Sequence, residues 1–310
     1  MNSTSRSIIP SYATLPEGGD FATIFEFILF RFPRISEAIW RERVENNKVH
    51  FDDGEFICLD TPYQAHRRIC YYREVPHESK IPFEEEVIFE NDDFLVVDKP
   101  HFLPVHPAGK YVNETLITRL RKKVDCAELS SAHRLDRLTA GLVLCVKAPA
   151  RRGLYQQLFM DGQIRKEYLA VGPVPPETDP PHWHVQNHIR QRDGHFRVQI
   201  VPDAPVNAES HIDLIGRKGE LGLFRLKPIT GKKHQLRVHL CSIGSSILND
   251  PWYPECLKEE PDDYEHPMQL LAHHLEFTDP ITGKQMEFKS RRVLSSFPDL
   301  QSSSNDFLTE

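Results

Sequence analysis

Apolar positions along the chain change period several times, and each change marks an element. Ile24, Phe27 and Ile28, and then Ile35, Ile39 and Val44, keep helical spacing, with Phe32-Pro33-Arg34 between the two groups and Ser36-Glu37 opening the second. Two short helices followed by a strand are predicted. The stretch "EVPHESKIPFE", residues 74–84, holds two prolines and little periodicity, which makes it a linker. Beyond it, "EVIFENDDFLVVDKP" predicts strand, Asn-Asp-Asp turn, strand. "ETLITRLRKK" predicts a helix whose basic last turn suits the helix dipole. "GLVLCVK" is apolar at successive positions, the pattern of a strand buried on both faces. "ARRGLYQQLFMDG" predicts a helix with Leu154 and Leu158 inward and Gly162 closing it.

The second half continues with strand "KEYLAVG", a Pro-rich surface loop "PVPPETDPP", a hairpin "NHIRQRDGHFRVQIV" about Asp193-Gly194, and strand "ELGLFRLKPIT". "KKHQLRVHLCSIG" places Leu236, Leu240 and Ile243 on one helical stripe, with Gly244 as cap. A last hairpin, "LLAHHLEFTDPITGKQMEFK", turns between Asp279-Pro280 and Gly283. Strands and helices mix without regular alternation. The fold class expected is therefore α+β, with a mixed, mostly antiparallel central sheet and flanking helices. The organisation expected is a flexible leader (1–19), a small helix-helix-strand domain (20–75), a linker (76–84), a catalytic domain (85–295) and a polar tail (296–310).

Composition adds limits. With 39% hydrophobic and 27% charged residues, the chain is ordinary for a globular protein, and no window approaches the ~18 uninterrupted apolar residues of a membrane span. The first twenty residues lack a basic patch followed by an apolar run, so a cytoplasmic location is expected. The six cysteines include no CxxC pair and are read as reduced packing thiols. The net charge of −7 argues at first against a nucleic-acid partner, but its distribution changes the picture. Residues 119–168 hold eleven Lys/Arg against five Asp/Glu, residues 217–239 seven against one, and the acids gather in "ECLKEEPDDYE" at 255–265. The acidity is concentrated away from the basic segments, so the net charge leaves room for a local electropositive surface.

Candidate chemistry lies in "SAHRLDRLTAGLVLCVK", where Asp136 sits between Arg134 and Arg137 just before the apolar strand. It serves either as a nucleophile or base, or as the structural half of an Asp–Arg pair. "GKKHQLRVHL" puts Lys232, Lys233, His234, Arg237 and His239 at or near a helix start, a phosphate-facing location or a solvated basic face. Tyr168 stands on a strand, where most tyrosines are packing residues with a polar tip. "HWHVQNH" supplies His182, His184 and His188, but the spacing matches no standard zinc pattern and no carboxylate or cysteine accompanies it, so no metal is expected. There is no Gly-rich phosphate loop and no GxSxG.

Taken in order, these segments resemble the RluA family of RNA pseudouridine synthases. "HRLDRLTAGLVLCVK" is similar to the family's nucleophile motif, "RKEYLAVG" to its tyrosine strand, and "GKKHQLRVHLCSIGSSILND" to its arginine helix. "FLVVDKPHFLPVHPAG" is similar to the opening motif and "LLAHHLEFTDPITG" to the closing hairpin, so the resemblance spans about residues 85–288. Ala140 stands where the family commonly has Ser, Asn249 where Gly usually precedes Asp250, and His101-Phe102 in place of small residues. Residues 20–74 more loosely resemble a small RNA-binding domain shared with a ribosomal protein, with Arg34 and Arg41 on its helix-turn.

The resemblance implies isomerisation of uridine to pseudouridine in rRNA or tRNA, without cofactor or metal. Asp136 would be the essential carboxylate, attacking the anomeric carbon or abstracting a sugar proton. Arg237 would be its partner, and Tyr168 would abut the uracil. Arg134 would help extrude the target base, while Arg119, Arg121, Lys122 and Lys123, together with Arg137, Lys232, Lys233 and His234, would hold RNA. The partner implied is RNA, with no membrane, and a monomer is expected. The alternative is a non-catalytic RNA-binding or ribosome-assembly protein on the same fold.

Overall fold

The computed structural model describes residues 5–176, 178–192, 194–256 and 261–298. They divide into two units, one comprising the residues up to Lys80 with Pro107–Glu114, the other Ile81–His106 with the chain from Thr115 onward.

The first unit contains β1 (Ser5–Arg6), β2 (Ser11–Thr14), α1 (Ile24–Arg31), α2 (Glu37–Glu45), β3 (Val49–Phe51), β4 (Arg68–Tyr71) and β5 (Glu74–Val75). α1 starts where Thr23 Oγ1 accepts the Glu26 N–H at 3.2 Å and the Glu26 carboxylate accepts the Ala22 N–H at 2.8 Å, so its orphan donors are satisfied locally. Ile24, Phe27, Ile28, Trp40 and Val44 from the two helices pack with Val49, Phe51 and Ile69 of the small sheet. Helix, helix, strand is the order expected. The leader differs: β2 adds an antiparallel strand to β4, and β1 pairs with β5, because each short strand satisfies backbone donors that an unpaired segment would leave to water. The expected linker is also built in, since the Glu78 carboxylate accepts the N–H groups of Val112, Asn113 and Glu114 at 2.6, 2.7 and 2.7 Å. The polar tail lies largely outside the described residues.

The second unit contains β6 (Glu86–Glu90), β7 (Phe94–Lys99), α3 (Leu116–Lys123), β8 (Ser130–Ser131), β9 (Ala140–Val146), α4 (Arg152–Met160) and β10 (Arg165–Pro173). It continues through β11 (His182–Asn187), β12 (Ile189–Gln191), β13 (Val198–Ile200), β14 (Ala208–Lys218), β15 (Leu221–Pro228), α5 (Gln235–Ser242), β16 (Leu270–Thr278) and β17 (Gln285–Lys289). The main sheet runs β11-β14-β15-β10-β16-β9-β7-β6, with β17 also on β16 and β8 on β9. Its pairs are antiparallel except β16 with β9. A mixed, mostly antiparallel sheet is thus the architecture, as the irregular strand and helix order predicts.

β7 and β9 are buried along their whole length, which explains the unbroken apolar run of β9 and that of residues 94–97 in β7, whose last two residues, Asp98 and Lys99, are buried charges. On one side they meet α4, but through Tyr155 and Leu158 rather than the expected Leu154, which is 46% exposed. The helix turns Tyr155 inward because its hydroxyl has a partner there, donating to Asp279 Oδ1 at 2.8 Å. β11 and β14 were not anticipated. β11 is an edge strand whose residues alternate between exposed and half-buried, so it carries little apolar signal. The hairpin of β12 and β13 forms as expected, although Asp193 at its turn lies outside the described residues.

Candidate active site

β9 begins immediately after the turn that carries Asp136, and the turn closes where the Thr139 N–H donates to the Asp136 carbonyl at 3.1 Å. Beneath it, Lys99 is fully buried and donates from Nζ to the carbonyls of Pro100, Leu103 and Arg137 at 3.0, 2.8 and 3.2 Å. Burial pushes this ammonium well below its ordinary range, with the Asp136 charge opposing the shift. Lys99 therefore ties the end of β7 to the residue that follows Asp136.

Asp136 faces α5. Arg237 Nη1 donates to Asp136 Oδ2 at 3.2 Å, while its Nε and Nη2 donate to Asp250 Oδ2 and Oδ1 at 2.7 and 2.6 Å. The guanidinium lies 4.7 Å from the Trp252 ring centre and 5.0 Å from that of Tyr253. A buried arginine held bidentately by one carboxylate presents its remaining donor to a second, so Asp250 fixes Arg237 and Arg237 orients Asp136. Asp250 has no assigned role in the sequence analysis. Its signal was available as the first acid after the arginine helix, thirteen positions beyond Arg237.

His234 caps α5 in a left-handed conformation, φ 54°, with Nε2 3.7 Å from Asp136 Oδ2 and Nδ1 2.9 Å from the Tyr253 hydroxyl. Burial, opposed by Asp136, lowers its pKa to about 4, so the ring is neutral at pH 7. Tyr168 enters from β10 beside a bulge between Glu167 and Tyr168, a device that re-aims a side chain. Burial and the Asp136 charge raise its phenol far above the ordinary value, so it stays protonated at neutral pH.

Asp136, Tyr168, His234 and Arg237 line a cleft of about 970 Å³, roomy enough for a nucleotide. Its charged lining is Arg134, Lys166, Lys232, Lys233 and Arg237 against Asp136 and Asp161, so a chain of net charge −7 presents a positive cleft. Lys232, Lys233 and His234 precede α5 instead of lying within it. The remaining candidates are elsewhere. Arg137 turns away and forms a bidentate pair with Asp262 at 2.9 and 2.8 Å. Arg119 donates to the carbonyls of Phe83 and Ile81, Arg121 to that of Leu129, and Lys123 to that of Glu85. Lys122 is exposed, and none of the four α3 cations lines the cleft. In the other unit Arg34 is exposed and Arg41 pairs with Glu37 at 2.8 Å.

Two sequence departures have a structural basis. Asn249 has φ 63°, a conformation that Asn tolerates better than most residues, so it can replace glycine there. Phe102, at φ 66°, is buried between Phe83 and Tyr264, and His101 Nδ1 lies 2.7 Å from the Leu138 carbonyl.

In chemical terms, the cleft offers a carboxylate oriented by arginine, a protonated phenol beside it and cationic walls. That set can act on an electrophilic carbon within a polyanion. Residues 93–242 match the family described as RNA pseudouridylate synthase. The chain is 33% identical over 218 residues to human pseudouridylate synthase RPUSD2, covering 70% of this chain and 38% of that one. It is 31% identical over 281 residues to the ribosomal large subunit pseudouridine synthase D of Zymomonas mobilis, covering 82% and 85%. The chain therefore spans less than half the human relative's length and most of the bacterial one's. Among solved structures, human RNA pseudouridylate synthase domain containing 1 shares the fold, with TM-score 0.56, 21% identity and coverage of 70% and 86%.

Proposed function

Because the chain belongs to the RNA pseudouridylate synthase family, among its RluA-type members, we propose that it isomerises uridine to pseudouridine in structured rRNA or tRNA, with Asp136 as the essential carboxylate. The reaction breaks the bond from uracil N1 to the ribose, turns the base, and joins C5 to the same sugar carbon. C5 loses a proton and N1 gains one, so the reaction needs no oxidant, reductant or second substrate.

The observation that carries this reading is the Asp250–Arg237–Asp136 relay at the cleft. Arg237 uses two nitrogens, Nε and Nη2, on Asp250 and aims the third, Nη1, at Asp136 Oδ2, which leaves the second oxygen of Asp136 for the ribose. Tyr168 abuts the uracil, and its phenolic oxygen assists the proton transfer at C5. A stacked uridine cannot reach this carboxylate, so the base is extruded into the cleft at a cost of a few kcal/mol. Arg134, exposed at the rim, helps displace it, while Lys232 and Lys233 attract the phosphates on either side. The small first unit, through Arg34 and Arg41, adds a further RNA contact.

Incubating total RNA with the protein and mapping pseudouridine at single-nucleotide resolution tests the reading and finds the target. New sites are expected with wild type and none with Asp136→Asn. An identical map for both proteins would overturn it.

A further inference from the structure

We propose that β11 and β14 carry a site for one divalent ion of the zinc class, held by His184, Glu209 and His211. Along the chain, His182, His184 and His188 have no acid beside them. The antiparallel register supplies what the sequence separates, since His184 lies opposite His211, and His182 opposite Asp213. Glu209 stands two residues from His211, on the same face of the strand. One ligand atom from each of His184, Glu209 and His211 lies within 4.8 Å of the others, and His184 Nε2 is already 2.9 Å from Glu209 Oε1. A tetrahedral ion bound at ~2.0–2.2 Å needs ligand atoms roughly 3.5 Å apart, so small side-chain rotations complete the geometry.

The surroundings favour that ion. The His184 and His211 rings stack at 4.3 Å with planes 10° apart, so both stand on one face, and each must turn out of the stack for its in-plane lone pair to reach a shared ion. The nearby cation, Lys227, is matched by Asp213 at 3.4 Å, and Asp213 also meets His182 Nδ1 at 2.6 Å. Two imidazoles and one carboxylate select zinc, nickel or copper over magnesium or calcium, which prefer oxygen ligands. β14 is fixed by β15 on its other side, whereas β11 is the edge strand, so an ion bridging the two ties that edge down. The same segment supports the catalytic helix, because Gln235 Nε2 donates to the Glu209 carbonyl at 2.9 Å and to Ser210 Oγ at 2.8 Å. None of the three proposed ligands lines the cleft, so the ion has no part in the proposed uridine chemistry.

The test is calorimetric titration of the full chain with zinc chloride, in parallel with thermal melting. One equivalent should bind and raise the melting temperature, and His184→Gln, His211→Gln and Glu209→Gln should each weaken binding by roughly tenfold or more. His188→Gln, beyond the end of β11 and with its ring Nδ1 2.7 Å from the Pro205 carbonyl, should bind as wild type does. Absence of saturable binding, or equal binding by wild type and all three ligand variants, would overturn the proposal. Pseudouridine formation by His184→Gln, on the edge strand, is a separate readout, and its activity should match that of wild type whether or not zinc binds.

Discussion

Asp250→Ala isolates the relay from the reacting groups. The substitution removes both oxygens that hold Arg237, at 2.7 and 2.6 Å, from a pair whose side chains are 0% exposed. It leaves a buried guanidinium with Asp136 Oδ2, at 3.2 Å, as its nearest remaining carboxylate. Removing one member of a buried ion pair costs about 3–5 kcal/mol, because the other charge stays desolvated. At roughly 2–4 °C per kcal/mol for a domain of this size, the melting temperature should fall by about 6–20 °C. The freed arginine should then follow its remaining partner and displace Asp136. A misplacement of about 1 Å is worth on the order of 100-fold in rate. Melting by circular dichroism, and single-turnover conversion measured below the variant's melting point, give the two numbers. Asp250→Asn keeps the shape without the charge and should fall between Ala and wild type on both. A melting point within about 2 °C of wild type, with conversion unimpaired, would refute the relay.

Gly141→Ala should lose about 3 kcal/mol or more of stability in urea unfolding, because φ is +111° and the new Cβ would meet the Ala272 carbonyl oxygen at 2.2 Å; an unchanged midpoint would contradict the close approach of β9 to β16. Tyr168→Phe should melt within a few degrees of wild type yet convert uridine at least ~100-fold more slowly, and an unaltered rate would remove the phenol from the chemistry. His101, His234, His239 and His273 all have pKa values lowered to about 4, burial being the largest cause. Their unfolded forms take up protons near pH 6.5 while the folded rings do not, so their contribution is full above pH 6.5 and is lost as pH falls towards 4. Urea unfolding across that window should show a drop of several kcal/mol, and a flat profile would show that these rings protonate in the folded state.

The elements that were legible from sequence are those with a strong local period. β9 announces itself by an unbroken apolar run and β7 by that of residues 94–97, α5 by its stripe, α3 by its basic last turn, and the last hairpin by its Asp-Pro-Ile-Thr-Gly turn. β11 and β14 did not, since β11 alternates polar residues on an edge and its histidines gain meaning only from a partner more than twenty residues away. The same distinction holds at the cleft. Asp136, Tyr168 and Arg237 could be named because they sit in ordered motifs. Asp250 and Lys99 act through contacts that span thirteen and up to thirty-eight positions; only its place as the first acid after the arginine helix marks Asp250, and no local pattern separates Lys99 from ordinary surface charge. Runs of like charge were the weakest guide. Arg119, Arg121 and Lys123 look like an RNA-facing patch, yet they bind main-chain carbonyls that end neighbouring segments. Arg137 pairs with Asp262, from the acidic stretch that had seemed to stand apart from the basic segments.

The central claim is that Asp136 acts on the ribose of an extruded uridine. Tritium release from RNA labelled at uracil C5, in a single turnover with excess protein, reports completion of the rearrangement that this step begins, without any need to know the site. Asp136→Asn should bind the RNA about as tightly as wild type and release no tritium. Release at the wild-type rate would contradict the account.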